Sequence, residues 1–218
     1  MYKTTVKTAI FVGMMTLLTT GCNDNTKAKV IQSEPVATQT IKEKTESKSV
    51  ETPQVKNMAK EAADVVYSVF QDTAKIGPKG NYMVLVFGTN TCPYCMKLKE
   101  DIFKSEKFQN RLKNDFSSYY LKTHENLRHK LFHENEYMDV DTKTMISIYG
   151  VQGTPTIIFT DKAGKAVIMV PGYMPTKQFL VTLDFMDSKK WMDKDRKNGE
   201  VYQALKDFYI EKGIKVNK

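Results

Sequence analysis

Residues 91–95 read Thr-Cys-Pro-Tyr-Cys, and this stretch decides how the rest of the chain is interpreted. It follows Tyr-Met-Val-Leu-Val-Phe at 82–87, an apolar run that predicts a buried strand. It precedes residues 96–103, whose apolar positions fit a helix better than a strand. The two cysteines therefore lie where a strand leads into a helix.

This position has a chemical consequence for the first cysteine. Cys92 lies at the helix N-terminus, where unpaired backbone N–H groups and the helix dipole favour negative charge. A thiolate is stabilised there, and the thiolate is the nucleophilic form of cysteine. Pro93 at the first helical position loses no hydrogen bond, and Cys95 follows one turn later, close enough to close a disulfide. We predict a redox dithiol in which Cys92 attacks and Cys95 resolves.

A cysteine pair at this spacing has two other common roles, in a zinc site and in a structural disulfide. Half of a zinc site would need a second pair of ligands, and the chain has three cysteines in total, the third being Cys22. His124, His129 and His133 follow later in the chain. A structural disulfide gains little chain entropy from so short a loop. We therefore favour the redox interpretation and expect neither a metal nor a cofactor.

Composition sets broad limits on the function. The chain has 218 residues, of which 41% are hydrophobic, enough for one ordinary domain with additions. The formal net charge is +8, but the lysines are scattered and form no basic stripe with interleaved aromatic residues. We expect a basic solvated surface and no nucleic-acid partner.

Residues 1–21 predict an export signal, with Lys3 and Lys7 ahead of a short apolar stretch. Small residues followed by Gly-Cys at 21–22 resemble the lipobox of bacterial lipoproteins, which implies cleavage before Cys22 and a lipid on its thiol. The family usually has Leu three residues before the cysteine, where this chain has Thr19. The alternatives are an uncleaved amphipathic anchor, or ordinary cleavage that leaves Cys22 as a free thiol.

The next segment, residues 22–57, is polar and has no aromatic side chain. Such a composition is typical of a disordered tether. A coil of this length spans about 30 Å on average. The tether would hold a domain off a bacterial membrane, on its periplasmic or cell-surface side, and let it turn toward partners.

The pattern becomes helical at Met58, and the first helix is predicted to end near Lys75. The cysteine helix is predicted to break near Ser105 and to resume through residues 108–112, ahead of a strand at 116–121. Residues 123–140 are polar and carry all three histidines. We interpret them as an insertion or a short helix with a loop, and expect the histidines on a solvated helix; a metal or substrate contact stays open.

The second half of the domain is predicted as a helix, two strands and another helix. Their ranges are 141–150, 156–160, 165–170 and 177–185. Asp141 and Gly150 have the residue types of helix caps, and Thr176 is predicted to cap the last helix. One or two further helices follow from Trp191 onward. The succession predicts an α/β sandwich around a small mixed sheet.

These motifs together resemble the thioredoxin-fold proteins, and most closely the exported SoxW-type thioredoxins. The resemblance rests on the cysteine motif after a strand, the segment 149–156, the turn 161–165 and Gly172-Tyr173. It covers about 58–187 and implies a three-layer sandwich with helices on both sides of a small mixed sheet. Residues 188–218 would then be a helical extension.

The family implies that the Thr154–Pro155 bond is cis, an isomer that costs only about 0.5–1 kcal/mol at proline. The bend would bring the Thr154 backbone beside the cysteines, where an extended substrate peptide can pair with it. Pro93 and Tyr94 are expected to contact the same substrate.

The chain departs from the thioredoxin pattern at two positions. Thr91 replaces the usual Trp before the first cysteine, and Val86 replaces a buried Asp that helps to move protons. Proton transfer to Cys95 would need water or another group, for which Glu100 is a weak candidate. Pro93-Tyr94 is the dipeptide of glutaredoxins.

The sequence predicts an exported, lipid-anchored thiol–disulfide oxidoreductase working in the reducing direction. Its partners would be disulfide-containing exported proteins and a membrane electron donor. Lys97 and Lys99 either stabilise the thiolate or belong to an ordinary helix surface. The alternatives are a glutaredoxin-like enzyme, an oxidase or isomerase, and a copper-binding chaperone that uses the cysteines with a histidine.

Overall fold

The structure, a computed structural model, describes residues 63–216. Helix α1 is described over 63–69. The later helices are α2 (Pro93–Lys104), α3 (Glu106–Asn110), α4 (Thr142–Tyr149), α5 (Thr176–Ser188) and α6 (Glu200–Glu211). A π-helical turn, Arg111–Asp115, follows α3. The strands are β1 (Lys75–Ile76), β2 (Met83–Gly88), β3 (Ser117–Lys122), β4 (Arg128–His133), β5 (Glu136–Asp141), β6 (Thr156–Thr160) and β7 (Ala166–Pro171).

A four-stranded mixed sheet forms the centre, in the order β3-β2-β6-β7. Strand β2 is parallel to β3 and antiparallel to β6, so that Val86 faces Tyr120 on one side and Ile157 on the other. Every residue of β2 is buried, as expected for a central strand that is covered on both faces. The predicted α/β fold with a mixed sheet is confirmed.

Successive residues of β2 point to opposite faces and serve two apolar clusters. Val84 and Val86 join the cluster built with α1, α2, α5 and α6. Met83, Leu85 and Phe87 join the second cluster, which α4 and strands β1, β4 and β5 complete. The sheet is therefore a middle layer with helices on both faces.

The three histidines lie in or next to a β-hairpin rather than on a solvated helix, so that prediction is wrong. Strands β4 and β5 pair antiparallel, and β1 adds to β4 in parallel, which makes a second sheet. The hairpin turns at Glu134 and Asn135, whose φ angles are 54° and 70°. Positive φ at both positions belongs to a tight two-residue hairpin turn, usually marked by Asn-Gly. Glu-Asn is a weak signal, and the hairpin was missed for that reason.

The boundaries of two helices also differ from the prediction. Helix α1 ends at residue 69, and Lys75 belongs to β1 instead of the helix. Thr176 is the first residue of α5, not its cap; Pro175 precedes it and makes no side-chain capping bond. Met58 and residues 1–57, with the predicted signal and tether, lie outside the described residues.

Other predicted boundaries agree with the structure. Ser105 separates α2 from α3, and its hydroxyl accepts the Phe108 N–H at 3.3 Å. The Asp141 carboxylate accepts the Thr144 N–H at 2.8 Å, and Gly150 ends α4 with φ 65°. Between residues 63 and 216, no helix combines the length and the apolar character that crossing a membrane requires.

Candidate active site

The loop between β2 and α2 places the two cysteines at the start of the helix. Cys92 has an extended backbone (φ −83°, ψ 119°) and is the N-cap residue of α2, with Pro93 at the first helical position. The Cys92 sulfur accepts the backbone N–H of Cys95 at 3.2 Å. Both cysteines are free thiols; Cys92 is half-buried and Cys95 is fully buried.

A second loop meets the cysteines from the other side. The Thr154–Pro155 peptide bond is cis, as the resemblance implies. The Cys92 thiol donates to the Thr154 carbonyl oxygen at 3.2 Å. Thr154 is half-buried and Pro155 is buried, while Pro93 and Tyr94 are exposed at the rim. The structure therefore brings all the predicted substrate-contacting residues to one place.

The surroundings separate the two thiols chemically. Burial works against ionisation of Cys92, but hydrogen bonds from Cys95, Thr154 and Tyr94 outweigh it and lower the pKa of Cys92. The N-terminus of α2 favours negative charge at the same position. Burial raises the pKa of Cys95, and its contact with Cys92 adds to the rise. The half-buried thiol of Cys92 is the one suited to attack, and the fully buried thiol of Cys95 stays protonated to higher pH.

An aromatic pair borders the site on the solvent side. The ring of Tyr94 is 61% exposed and stacks on Tyr173 with 6.2 Å between centroids. The Lys97 ammonium lies 5.3 Å from the Tyr173 ring centroid. Burial, helped by a hydrogen bond to Asp101, raises the pKa of Tyr173 to about 12. Tyr173 therefore stays neutral, and its ring packs against that of Tyr94.

A second polar cluster lies beside the buried cysteine. The Lys99 ammonium donates to the Tyr67 hydroxyl at 2.9 Å and to the Asn90 side-chain oxygen at 3.1 Å. It also lies 4.7 Å from the ring centroid of Tyr120. Sequence reasoning did not find Tyr67, Asn90 or Tyr120, because α1, the loop after β2 and strand β3 meet only in the tertiary fold.

The departures from the thioredoxin pattern are visible in the site. Val86 is buried in the apolar cluster and offers no proton-transfer group. Glu100 pairs with Lys104 on the outer side of α2, with its side chain 57% exposed. The Thr91 hydroxyl lies 3.4 Å from that of Thr89. The structure thus gives Glu100 no place beside Cys95.

The histidines do not gather around the cysteines. His129 is buried, with its ring nitrogens 2.7 Å from the Thr73 carbonyl and 2.9 Å from the Thr142 hydroxyl. His124 lies 3.5 Å from Glu125, and the His133 ring meets Tyr149 edge-on at 5.8 Å. Over residues 63–216, no group of three or more His, Cys, Asp or Glu side chains is arranged to hold a metal ion.

The family model of the thioredoxin-like domain matches residues 69–187. A thioredoxin-fold protein from Helicobacter pylori superposes with a TM-score of 0.65 and 33% identity, covering 71% of this chain and 98% of the other.

More distant matches include a thioredoxin from Thermus thermophilus, with 23% identity and a TM-score of 0.38 over 50% of this chain and 76% of the other. An exposed lipoprotein thioredoxin from Streptococcus pneumoniae has 26% identity and a TM-score of 0.35, over 49% and 86%. A comparison with curated proteins finds no match. The family model covers more than half of the chain, the Helicobacter pylori structure is 33% identical over 71% of it, and the chain belongs to the thioredoxin-like family.

Proposed function

We propose that this protein is a thiol–disulfide oxidoreductase that uses Cys92 and Cys95. The observation that supports this most is the difference between the two thiols. Cys92 is accessible, caps a helix and has a lowered pKa, while Cys95 is buried one turn away. A thiolate that attacks and a protected thiol that resolves are the two parts that disulfide exchange requires.

The reaction proceeds in two exchanges. The Cys92 thiolate attacks one sulfur of a substrate disulfide, a Cys92–substrate bond forms, and the other substrate sulfur leaves as a thiolate. Cys95 then loses its proton and attacks the Cys92 sulfur. The Cys92–Cys95 disulfide forms, and the second substrate thiolate leaves and takes up a proton. Two electrons pass from the protein to the substrate.

Substrate would lie across the cis-proline loop. The Thr154 carbonyl oxygen is already 3.2 Å from the Cys92 sulfur, so an extended peptide that pairs with this backbone brings its disulfide to the nucleophile. Pro93 and Tyr94 form the opposite, exposed wall. Backbone pairing of this kind accepts many sequences, which suits an enzyme with several clients.

The finer proposal is an exported, SoxW-type reductase, anchored by lipid on Cys22 and facing the periplasm or the cell exterior. Its support is the signal pattern of 1–21, the Gly-Cys at 21–22 and the polar tether of 22–57. An exported compartment is oxidising. A reductase there needs a supply of electrons, for which a membrane donor is the natural partner, and disulfide-containing exported proteins are its substrates.

Lipid attachment is tested by feeding cells a palmitate analogue. The full chain should incorporate the label, and the Cys22→Ser variant should lose it together with membrane association. Label that persists in the variant would contradict the anchor, without touching the dithiol chemistry.

The redox direction is tested by equilibrating the full chain with glutathione buffers. We expect a reduction potential of about −250 mV or lower, near the thioredoxin end of the scale. A value of about −120 to −150 mV would instead make the protein an oxidant or isomerase. If the pair does not cycle at all, the oxidoreductase proposal fails. Rapid turnover of glutathione mixed disulfides would favour the glutaredoxin-like alternative that Pro93-Tyr94 suggests.

A further inference from the structure

The resolving step leaves one problem in the chemistry of Cys95. Its thiol is 0% exposed, and both burial and Cys92 raise its pKa. To attack the mixed disulfide it must nevertheless become a thiolate, and a thiolate without a hydrogen-bond donor is costly in an apolar site. Val86 is apolar, and Glu100 pairs with Lys104 at the surface. Hydrogen bonds from the Thr89 backbone and the Thr154 side chain work to lower the pKa of Cys95, but burial and Cys92 outweigh them. A further donor would therefore ease the ionisation of Cys95.

Tyr120 brings a hydroxyl to this position from the neighbouring strand. It faces Val86 in the β2–β3 register, and register partners on parallel strands point to the same side. A Cβ added to Gly88 would collide with the Tyr120 hydroxyl and lie 3.3 Å from the Cys95 sulfur. The hydroxyl and the sulfur therefore share the small space above Gly88, which only a residue without a side chain leaves open.

When both cysteines are thiols, the Tyr120 hydroxyl makes only a weak hydrogen bond. Its hydrogen bond to the Thr89 carbonyl is long, at 3.5 Å, near the limit at which such a bond counts. Burial, followed by Cys95 and Tyr67, raises the pKa of Tyr120 above that of an ordinary tyrosine. The phenol therefore stays protonated at working pH and can turn its hydrogen toward a new anion.

A positively charged side chain lies against the ring of Tyr120. Lys99 holds its ammonium 4.7 Å from the Tyr120 ring centroid, and hydrogen bonds to Tyr67 and Asn90 fix it in place. Tyr67 comes from α1 and meets Tyr120 edge-on at 6.1 Å. Among these elements the titratable neighbours are Cys92, Tyr67, Tyr120 and Lys99, and the lysine is the one that carries a positive charge.

We propose that Tyr120 is the positioning residue of the resolving step, donating a hydrogen bond from its hydroxyl to the Cys95 thiolate as that thiolate attacks Cys92. This inference rests on the proposed function. The proton of Cys95 passes to solvent or to the departing substrate thiolate, while Tyr120 keeps its own. Lys99 supports the same anion through space, so its contribution is the smaller of the two.

The test is a stopped-flow reaction of the reduced full chain with a chromogenic aromatic disulfide, in a Cys22→Ser background that removes the third thiol. Attack by Cys92 releases one equivalent of aromatic thiolate in a phase that depends on reagent concentration. Attack by Cys95 releases a second equivalent in a unimolecular phase. The pH dependence of the second phase reports the ionisation of Cys95 separately from that of Cys92.

In Tyr120→Phe we expect the midpoint of the second phase to rise by about one pH unit. The second phase should slow about tenfold below that midpoint, with the first phase unchanged. The matched control is Tyr119→Phe on the same strand, whose hydroxyl faces the other way and donates to the Gly77 carbonyl at 2.8 Å; it should leave the midpoint where it is. Lys99→Met should shift the midpoint in the same direction by less.

An unchanged midpoint in folded Tyr120→Phe would overturn the inference while leaving the proposed function intact. If Tyr120→Phe does not fold, judged by circular dichroism, Tyr120→Met takes its place, and an unchanged midpoint in that variant overturns the inference. A parent chain that releases only one equivalent has no resolving cysteine, and that result would sink the proposed function itself.

Discussion

Cys92 and Cys95 are separated by one turn of α2, yet they lie in opposite environments. Cys92 is half-buried, caps the helix and donates to the Thr154 carbonyl oxygen. Cys95 is fully buried beside Gly88 and Tyr120. One turn of helix is therefore enough to give two identical side chains different burial and pKa values that shift in opposite directions.

The largest expected difference between the two environments appears when either thiol is removed. Cys92→Ser should lose disulfide reduction completely, because the buried Cys95 cannot reach substrate. Cys95→Ser should still attack once and then remain linked to substrate. Gel electrophoresis without reductant, after exposure to an exported protein with disulfides, measures the trapped complexes. Equal amounts of trapped complex in both variants would contradict the assignment of different roles to the two thiols.

The pH dependence of alkylation measures the same distinction in the intact pair. The thiolate is the reactive form, and the pKa of Cys92 is lowered. An ordinary cysteine thiol has a pKa of about 8.5. The rate of Cys92 alkylation by iodoacetamide should therefore reach half its plateau at a pH below that value. Cys95, whose pKa is raised, should react with a midpoint above that value. Peptide mapping in the Cys22→Ser background assigns each rate; reversed midpoints would contradict the assignment of roles.

Two glycines, one beside Cys95 and one in the loop that meets Cys92, allow a test by protein stability. Gly88→Ala forces a methyl group into the Tyr120 hydroxyl, and overpacking of this kind costs about 1–3 kcal/mol. Gly153→Ala, in the loop that meets Cys92, has no heavy atom within 4 Å of the new methyl. It should change the free energy of unfolding by no more than about 0.5 kcal/mol. Urea denaturation measures both, and similar losses would mean that the space around Cys95 is not close-packed.

The smallest expected effect concerns the exposed rim. Tyr94→Ala removes a ring that is 61% exposed and stacked on Tyr173. We expect KM for a disulfide peptide to rise a few-fold, with kcat and the pH dependence of alkylation unchanged, since such a pair contributes about 0.5–1.5 kcal/mol. Steady-state kinetics measures KM and kcat. The control variant is Tyr173→Phe, which keeps the aromatic ring against which Tyr94 stacks. A drop in kcat alone would show that Tyr94 acts on the chemistry and not on binding.

Much of the site could be predicted because its signals are local. The strand at 82–87, the cysteines at the helix start and Thr154-Pro155 each depend on neighbours in sequence. The hairpin at 128–141 was missed because Glu134 and Asn135 adopt positive φ without the usual glycine. Tyr120 was missed for a different reason. Its place beside Cys95 follows from the register between β2 and β3, and no pattern within either strand reports that register.

His129 illustrates the limit of residue type as a signal. Its sequence position, near two other histidines, left a metal contact open. In the structure both ring nitrogens are already bonded, to Thr73 and Thr142, and the side chain joins β4 to the loop before β1 and to the start of α4. A buried polar side chain with both partners satisfied is a structural element, and only the tertiary fold shows that they are satisfied.

A single-turnover reaction of the reduced full chain with a peptide disulfide tests directly whether Cys92 attacks and Cys95 resolves. The reaction is quenched in acid at successive times and mapped by mass spectrometry. We expect peptide to appear first on Cys92 and then to leave as the Cys92–Cys95 disulfide accumulates, with no peptide on Cys95 at any time. Peptide attached to Cys95 at early times, or a stable Cys92 adduct that never gives way to the internal disulfide, would contradict it.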